Sequence, residues 1–211
     1  MNGMQIWKLH TLWDYVFFFM TVGGGIAFFT AWTNVLKKGR VREKALPRAA
    51  KKLQKVLGPK ARVYTDLVLS DGSEERTAEL LAVTGDRVFV GRVYPFGLFV
   101  NGGANVPQWE FRDKVELRKE KNPMPELRAE KALLNRVFAK EKLKDVPVEF
   151  LIILADTYGA AKWKLDGVEH VCPVQHLPQF FKKLPKKIAG GIDAERVKEA
   201  VERCSRKEQG A

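Results

Sequence analysis

Residues 78–109 read AELLAVTGDRVFVGRVYPFGLFVNGGANVPQW, and the way this stretch alternates between β-formers and turn signals decides the fold. Strand-like runs over Thr77–Val83, Arg87–Val93 and Leu98–Val100 are rich in β-branched and aromatic residues. Thr84-Gly85-Asp86, Pro95-Phe96-Gly97 and Asn101-Gly102-Gly103 punctuate them, each offering a fixed φ or a residue tolerant of positive φ. Connections this short join antiparallel neighbours, so the stretch predicts a meander.

Working outward, Arg62–Leu69 before Asp71-Gly72 adds a strand on one side, and Trp109–Leu117 adds one on the other. Asn122-Pro123 and Pro125 lead into a helix from about Glu126 to Lys142, with Leu127, Leu134 and Phe138 on one stripe. Phe150–Leu154 is apolar at every position, as a strand covered on both faces would be. A strand at Val168–Val174, a short helix at Leu177–Leu184 and a helix from Asp193 to about Arg206, capped by that aspartate, complete the chain. Strands first and mixed elements afterwards predict an α/β (α+β) sandwich with a mixed sheet.

The same stretch resembles the nuclease-related domain (NERD) family, whose fold is restriction-endonuclease-like, of the PD-(D/E)xK type. In that pattern an acid-bearing strand turns into a strand ending in Glu-x-Lys, followed by glycines and a tryptophan. Glu79 stands at the position of the first acid, ten residues before Phe89, and 97–102 with Trp109 fill the pattern that follows. Asn122-Pro123 with Glu126 is similar to the family's Asn-Pro-x-x-Gln helix opening. The resemblance covers roughly residues 40–184 and implies a metal-dependent nuclease in which paired acids hold Mg²⁺ and a lysine stabilises developing charge.

Arg92 occupies the place of the metal-binding Glu, and Tyr94 that of the Lys. At 4 Å and an effective dielectric of about 20, exchanging a carboxylate for a guanidinium turns roughly 4 kcal/mol of attraction for a cation's unit charge into repulsion. The expectation is therefore a degenerate site, Glu79, Arg92 and Tyr94, in which Glu79 and Arg92 can form a simple cross-strand pair. Two alternatives stay open. One is a divergent nuclease in which Glu79 works with Glu74, Glu75 or Asp66 and Mg²⁺; the other is a binder of nucleic acid that does not cut.

Upstream, Tyr15–Leu36 contains no formally charged residue over 22 positions, enough at ~1.5 Å per residue to cross a hydrocarbon core of roughly 30 Å. Trp13 and Trp32 lie near its ends, where indole rings settle at headgroup level. Lys37, Lys38, Arg40, Arg42 and Lys44 follow, which predicts a single-pass anchor with the N-terminus outside and the C-terminal domain in the cytoplasm. Gly23, Gly24 and Gly25 at mid-span offer a close-approach surface for a homo-oligomer, or simply a kink.

The anchor also explains the charge. The chain has 211 residues and a net charge of +12, but residues 37–62 hold eleven basic side chains against Glu43 alone, a local +10. Residues 1–36 sum to zero, so only +2 remains for the globular part, too little to argue for nucleic acid by itself. Within the basic segment, Leu46, Ala49, Ala50, Leu53, Val56 and Leu57 recur at helical spacing, with Arg48, Lys51, Lys52 and Lys55 on the other face, able to meet anionic lipid.

His170, Cys172 and His176 invite a zinc reading, but a fourth ligand and a Cys-x-x-Cys knuckle are missing. Cys172 and Cys204 are expected as thiols in a cytosolic domain. No Gly-x-Ser-x-Gly elbow and no phosphate loop is present, which leaves serine hydrolase and P-loop chemistry without support. The organisation expected is an outer N-terminus (1–14), a span (15–36), a basic juxtamembrane segment with an amphipathic helix (37–62), a nuclease-like domain (63–184) and a C-terminal helix (185–211). Its expected role is a membrane-anchored cytoplasmic binding or scaffolding module for a protein partner, with no cofactor unless the Mg²⁺ alternative holds.

Overall fold

The computed structural model describes residues 12–95, 98–112, 116–143, 145–155, 162–185 and 192–205. The chain forms two compact units, Met1–Glu43 and Lys44–Ala211. The first contains helix α1, Leu12–Glu43, whose side chains are described at Trp13 and over 15–30. There the large apolar residues are exposed all round the helix: Phe17, Phe19, Met20, Ile26, Phe28 and Phe29 each show more than 60 % of their surface. Among the described residues no helix is long and apolar enough to cross a membrane. The expected 22-residue run continues past residue 30, so Trp32, Lys37, Lys38, Arg40 and Arg42 have side chains that lie outside the described residues.

The second unit is a mixed α/β fold built on two mixed sheets. It opens with α2, Ala45–Leu57, and the antiparallel strands β1, Arg62–Ser70, β2, Glu75–Val83, and β3, Val88–Tyr94. A second hairpin set follows, made of β4, Phe99–Gly103, β5, Gln108–Arg112, and β6, Leu117–Lys121. Helix α3, Met124–Lys140, then carries the chain to β7, Val148–Leu154, which pairs in parallel with β3. The remaining elements are β8, Lys162–Asp166, β9, Val171–Pro173, α4, Leu177–Lys183, and α5, Ala194–Cys204. The larger sheet runs β1-β2-β3-β7-β9 and the smaller β6-β5-β4-β8.

The larger sheet separates two cores. On one side Leu80, Ala82, Phe89, Leu151 and Ile153 pack with Ala49 and Leu53 of α2 and Leu177 of α4. On the other, Leu81, Val90, Ile152 and Leu154 meet Leu127 and Leu134 of α3, Val197 of α5, and Trp109 and Phe111 from the smaller sheet. β7 thus buries alternate residues into both cores, which is why its sequence is apolar without alternation. Gly91 is required at the centre of β3, because a Cβ there would overlap the Leu151 carbonyl oxygen across the β3–β7 pair.

Three expectations are corrected. Trp109–Leu117 is not one strand: β5 ends at Arg112 and β6 begins at Leu117, the two pairing antiparallel. Asn101-Gly102-Gly103 is not a turn but the end of β4, and Gly102 is there because a Cβ would come within 2.5 Å of the Trp109 ring. The strand expected over Val168–Val174 shrinks to Val171–Pro173, since Val174 already begins a 3₁₀ turn. The Pro95-Phe96-Gly97 turn includes positions 96 and 97, which lie outside the described residues.

Candidate functional site

Glu79 lies at a break in the larger sheet. β1 pairs with β2 on both sides of Asp66 and Glu79, at Thr65↔Leu80 and Leu67↔Ala78, while Asp66 itself adopts φ 51°. Aspartate tolerates this left-handed conformation better than a branched residue would. The core-facing alternation slips by one across the break: Tyr64, Leu81 and Val83 face the α3 core on one side of it, and Leu67, Leu69 and Ala78 on the other. The regular β2–β3 pairing starts at Leu80↔Gly91, just past this break. The Glu79 carboxylate takes up the slack by accepting a hydrogen bond from the Val93 amide at 2.8 Å.

Arg92 reaches across the same gap. Its Nε lies 3.7 Å from Glu79 Oε2, its Nη2 lies 3.6 Å from Glu126 Oε2, and both terminal nitrogens donate to Glu130. The expected Glu79–Arg92 pair is present, but Glu130 is the tighter partner. Burial raises the pKa of Glu130, and the Arg92 hydrogen bond only partly offsets this. Burial likewise raises Glu79, against the Val93 hydrogen bond and the Arg92 charge, with nearby Asp66 adding to the rise. For Arg92, burial alone would lower the pKa, but the carboxylates outweigh it and hold the guanidinium charged. Three carboxylates around one cation leave an excess of negative charge, part of which Lys121 meets through a 2.9 Å bond to Glu126.

Tyr94 lines the apolar wall of the site. Its ring packs 4.6 Å from Phe111 and 6.0 Å from Trp109, and burial pushes its hydroxyl pKa upward. Asn122 fixes the start of α3 by donating to the Gly103, Ala104 and Val106 carbonyls while its own oxygen accepts from the Met124 amide. The Asn-Pro-x-x-Glu spacing therefore places Glu126 beside Arg92. The sequence marks Glu130 only by its place on the stripe of Leu127 and Leu134, where a charged residue signals a buried partner.

Compared with protein-family models, with characterised proteins and with solved structures, the chain matches none. Its functional reading rests on geometry. A metal ion does not fit among the Glu79, Glu126 and Glu130 carboxylates as they stand, because the Arg92 guanidinium is already there and charged. Of the acids considered as helpers to Glu79, Glu74 is bound to Arg76 and Arg136, and Asp66 lies across the strand break. Glu75 stands at the start of β2, four residues before Glu79.

The histidine–cysteine cluster disperses. His170 Nε2 lies 3.0 Å from Glu149 Oε2, and Glu149 also accepts from the buried Arg87 at 2.9 Å. Arg87 further holds Asp86 and the Pro185 carbonyl, so this node ties the starts of β3 and β7 to the end of α4. Cys172 is buried, with a thiol pKa pushed up to about 12 by desolvation, and Cys204 is likewise a free thiol, raised to about 11 by burial. His176 and Cys172 line an open groove of about 390 Å³ with Trp163, Phe180 and Lys183. Among the described residues no group of three His, Cys, Asp or Glu side chains is arranged to hold a metal. A Cβ at Gly23, Gly24 or Gly25 would meet nothing within 4 Å, so that stretch of α1 presents an open surface.

Proposed function

We propose that the chain is a membrane-anchored, nuclease-like domain that has exchanged metal-dependent cleavage for a binding or scaffolding role on the cytoplasmic side. The observation that carries this reading is the Arg92 guanidinium, lodged among Glu79, Glu126 and Glu130 at the position where the family resemblance expects a metal-binding acid. Adjacent strands carry Glu79 and Arg92, as that resemblance requires of its two motif halves. The anchor reading is supported by the exposed phenylalanines of α1, which water would not solvate favourably, and by the basic residues that follow the apolar run. The three-glycine surface at 23–25 provides a place for helix pairing in lipid.

The test uses the full chain in detergent or lipid discs with DNA and RNA substrates. No Mg²⁺- or Mn²⁺-dependent cleavage is expected, and Glu79→Ala should change nothing in that assay. Turnover that Glu79→Ala abolishes would overturn the proposal in favour of a divergent nuclease.

A further inference from the structure

The two helical layers of the folded unit are charged in opposite styles. On α3 and α5 every cation has a partner: Arg136 binds Asp71 and Glu74, Lys198 binds Glu195, and Arg203 binds Glu141. Arg128, Lys140 and Arg196 donate to backbone carbonyls, and Lys131 lies over the Phe150 ring. The layer formed by α2 and α4 contains no acidic residue at all. It carries Arg48, Lys51, Lys52, Lys55, Lys182 and Lys183, and among the described residues none of these six has a carboxylate, carbonyl or ring partner.

The layer is also a single surface. α2 and α4 pack against each other, and their apolar sides, Ala49, Leu53 and Leu177 with Phe180 and Phe181, are committed to the same core. All the cations except Lys52 are exposed, and Lys52 is half-buried. A protein stabilising itself would scatter acids among so many like charges, as α3 and α5 do, so this face is built for an anionic surface outside the molecule.

We propose that the α2–α4 face is the surface by which the folded unit lies on an anionic lipid bilayer. The choice of lipid over other polyanions rests on the anchor reading above: α2 begins two residues after α1 ends, which keeps these cations within reach of any membrane that α1 enters. Each cation near an anionic leaflet strengthens attachment roughly fivefold at physiological salt, so a layer of them suffices to hold the unit flat. Because Arg92 and Glu130 lie on the α3 side of the sheet, this posture turns their cluster away from the bilayer and toward whatever the domain binds.

The experiment reconstitutes the full chain into discs of phosphatidylcholine alone, or with one third phosphatidylserine, and measures lysine acetylation rates by mass spectrometry. Lys51, Lys55, Lys182 and Lys183 should be protected several-fold in the anionic discs, reversibly with salt, while Lys119 and Lys140 are unchanged. A variant with Lys51, Lys55, Lys182 and Lys183 all changed to Gln retains only Arg48 and Lys52 of the six and should lose the lipid-dependent difference at its one remaining lysine, Lys52. A chain that enters both discs with equal labelling overturns the lipid face and leaves the anchor standing. A chain that stays out of neutral discs yet binds anionic ones through these lysines overturns the anchor and supports the face. Stronger protection by added duplex DNA or RNA than by phosphatidylserine overturns the lipid assignment.

Discussion

At the scale of single residues, the molecule turns on Arg92 and Glu130. The Glu130 side chain is 3 % exposed and that of Arg92 12 %, so removing the cation strands a buried carboxylate. Arg92→Gln should cost about 3 kcal/mol at neutral pH, read from urea unfolding, because breaking one side of a buried pair leaves its desolvation uncompensated. Glu130 already has a pKa above the ordinary value in the folded protein, and losing Arg92 lifts it further. An acid raised in this way weakens the fold above its folded-state pKa and stops doing so once protonated. The penalty of Arg92→Gln should therefore shrink as the pH falls from neutral toward the carboxylate range; a penalty that grows instead would sink this account. The opposition of Glu79 and Arg92 is legible in the strand pattern as a cross-strand pair. Glu130 is not, because a glutamate in an amphipathic helix reads as solvent-facing until its strand partner is known, and that partner is 38 residues away in sequence.

At the scale of elements, the β1–β2 turn is pinned to α3. Asp71 Oδ1 accepts from the Ser73 amide and hydroxyl and from the Glu74 amide, while its other oxygen accepts from Arg136 at 2.7 Å. The Ser73 and Arg136 hydrogen bonds hold the Asp71 carboxyl well below the usual range. Its contribution is thus fully present above the ordinary aspartate pKa and is lost as pH falls through the depressed value. Asp71→Ala should speed hydrogen exchange at the Ser73 and Glu74 amides and in the last turns of α3, while Asp71→Asn should spare the turn and loosen only the helix contact. Unchanged exchange in both variants would mean the turn is held by its strands alone. The Asp71-Gly72 signal for this turn was plain in the sequence, as was the N-cap of α5, where Asp193 accepts from the Arg196 amide. The split of Trp109–Leu117 was not, because strand-forming residues flank the break closely. β8 is not legible in the sequence for the opposite reason: in KWKLD only Leu165 is buried, so the alternation that marks a strand is nearly absent.

At the scale of the whole molecule, the sequence divides by charge into an apolar run, a basic stretch and a nearly neutral remainder. What it could not supply was which cations find partners, since that depends on how strands and helices from distant segments stack. The same distribution has a consequence for self-association. Within the larger sheet, β1 is closed at one point by the Leu69↔Ser205 bridge, and β9 is only three residues long. The smaller sheet ends on β6 and β8, whose exposed positions include Lys119, Lys121, Lys162 and Lys164. Lysines on a terminal strand repel the like-charged edge of a second copy. Changing Lys162 and Lys164 to Val should add species larger than those the unchanged chain forms in detergent, by analytical ultracentrifugation; a variant with the same distribution as the unchanged chain would show that the edge is guarded by something else. Confinement to a membrane raises the local concentration of neighbouring copies far above that in free solution. Held on such a surface as proposed, the domain would meet its own kind constantly, and its charged sheet margins would keep those encounters from becoming continuous β-structure.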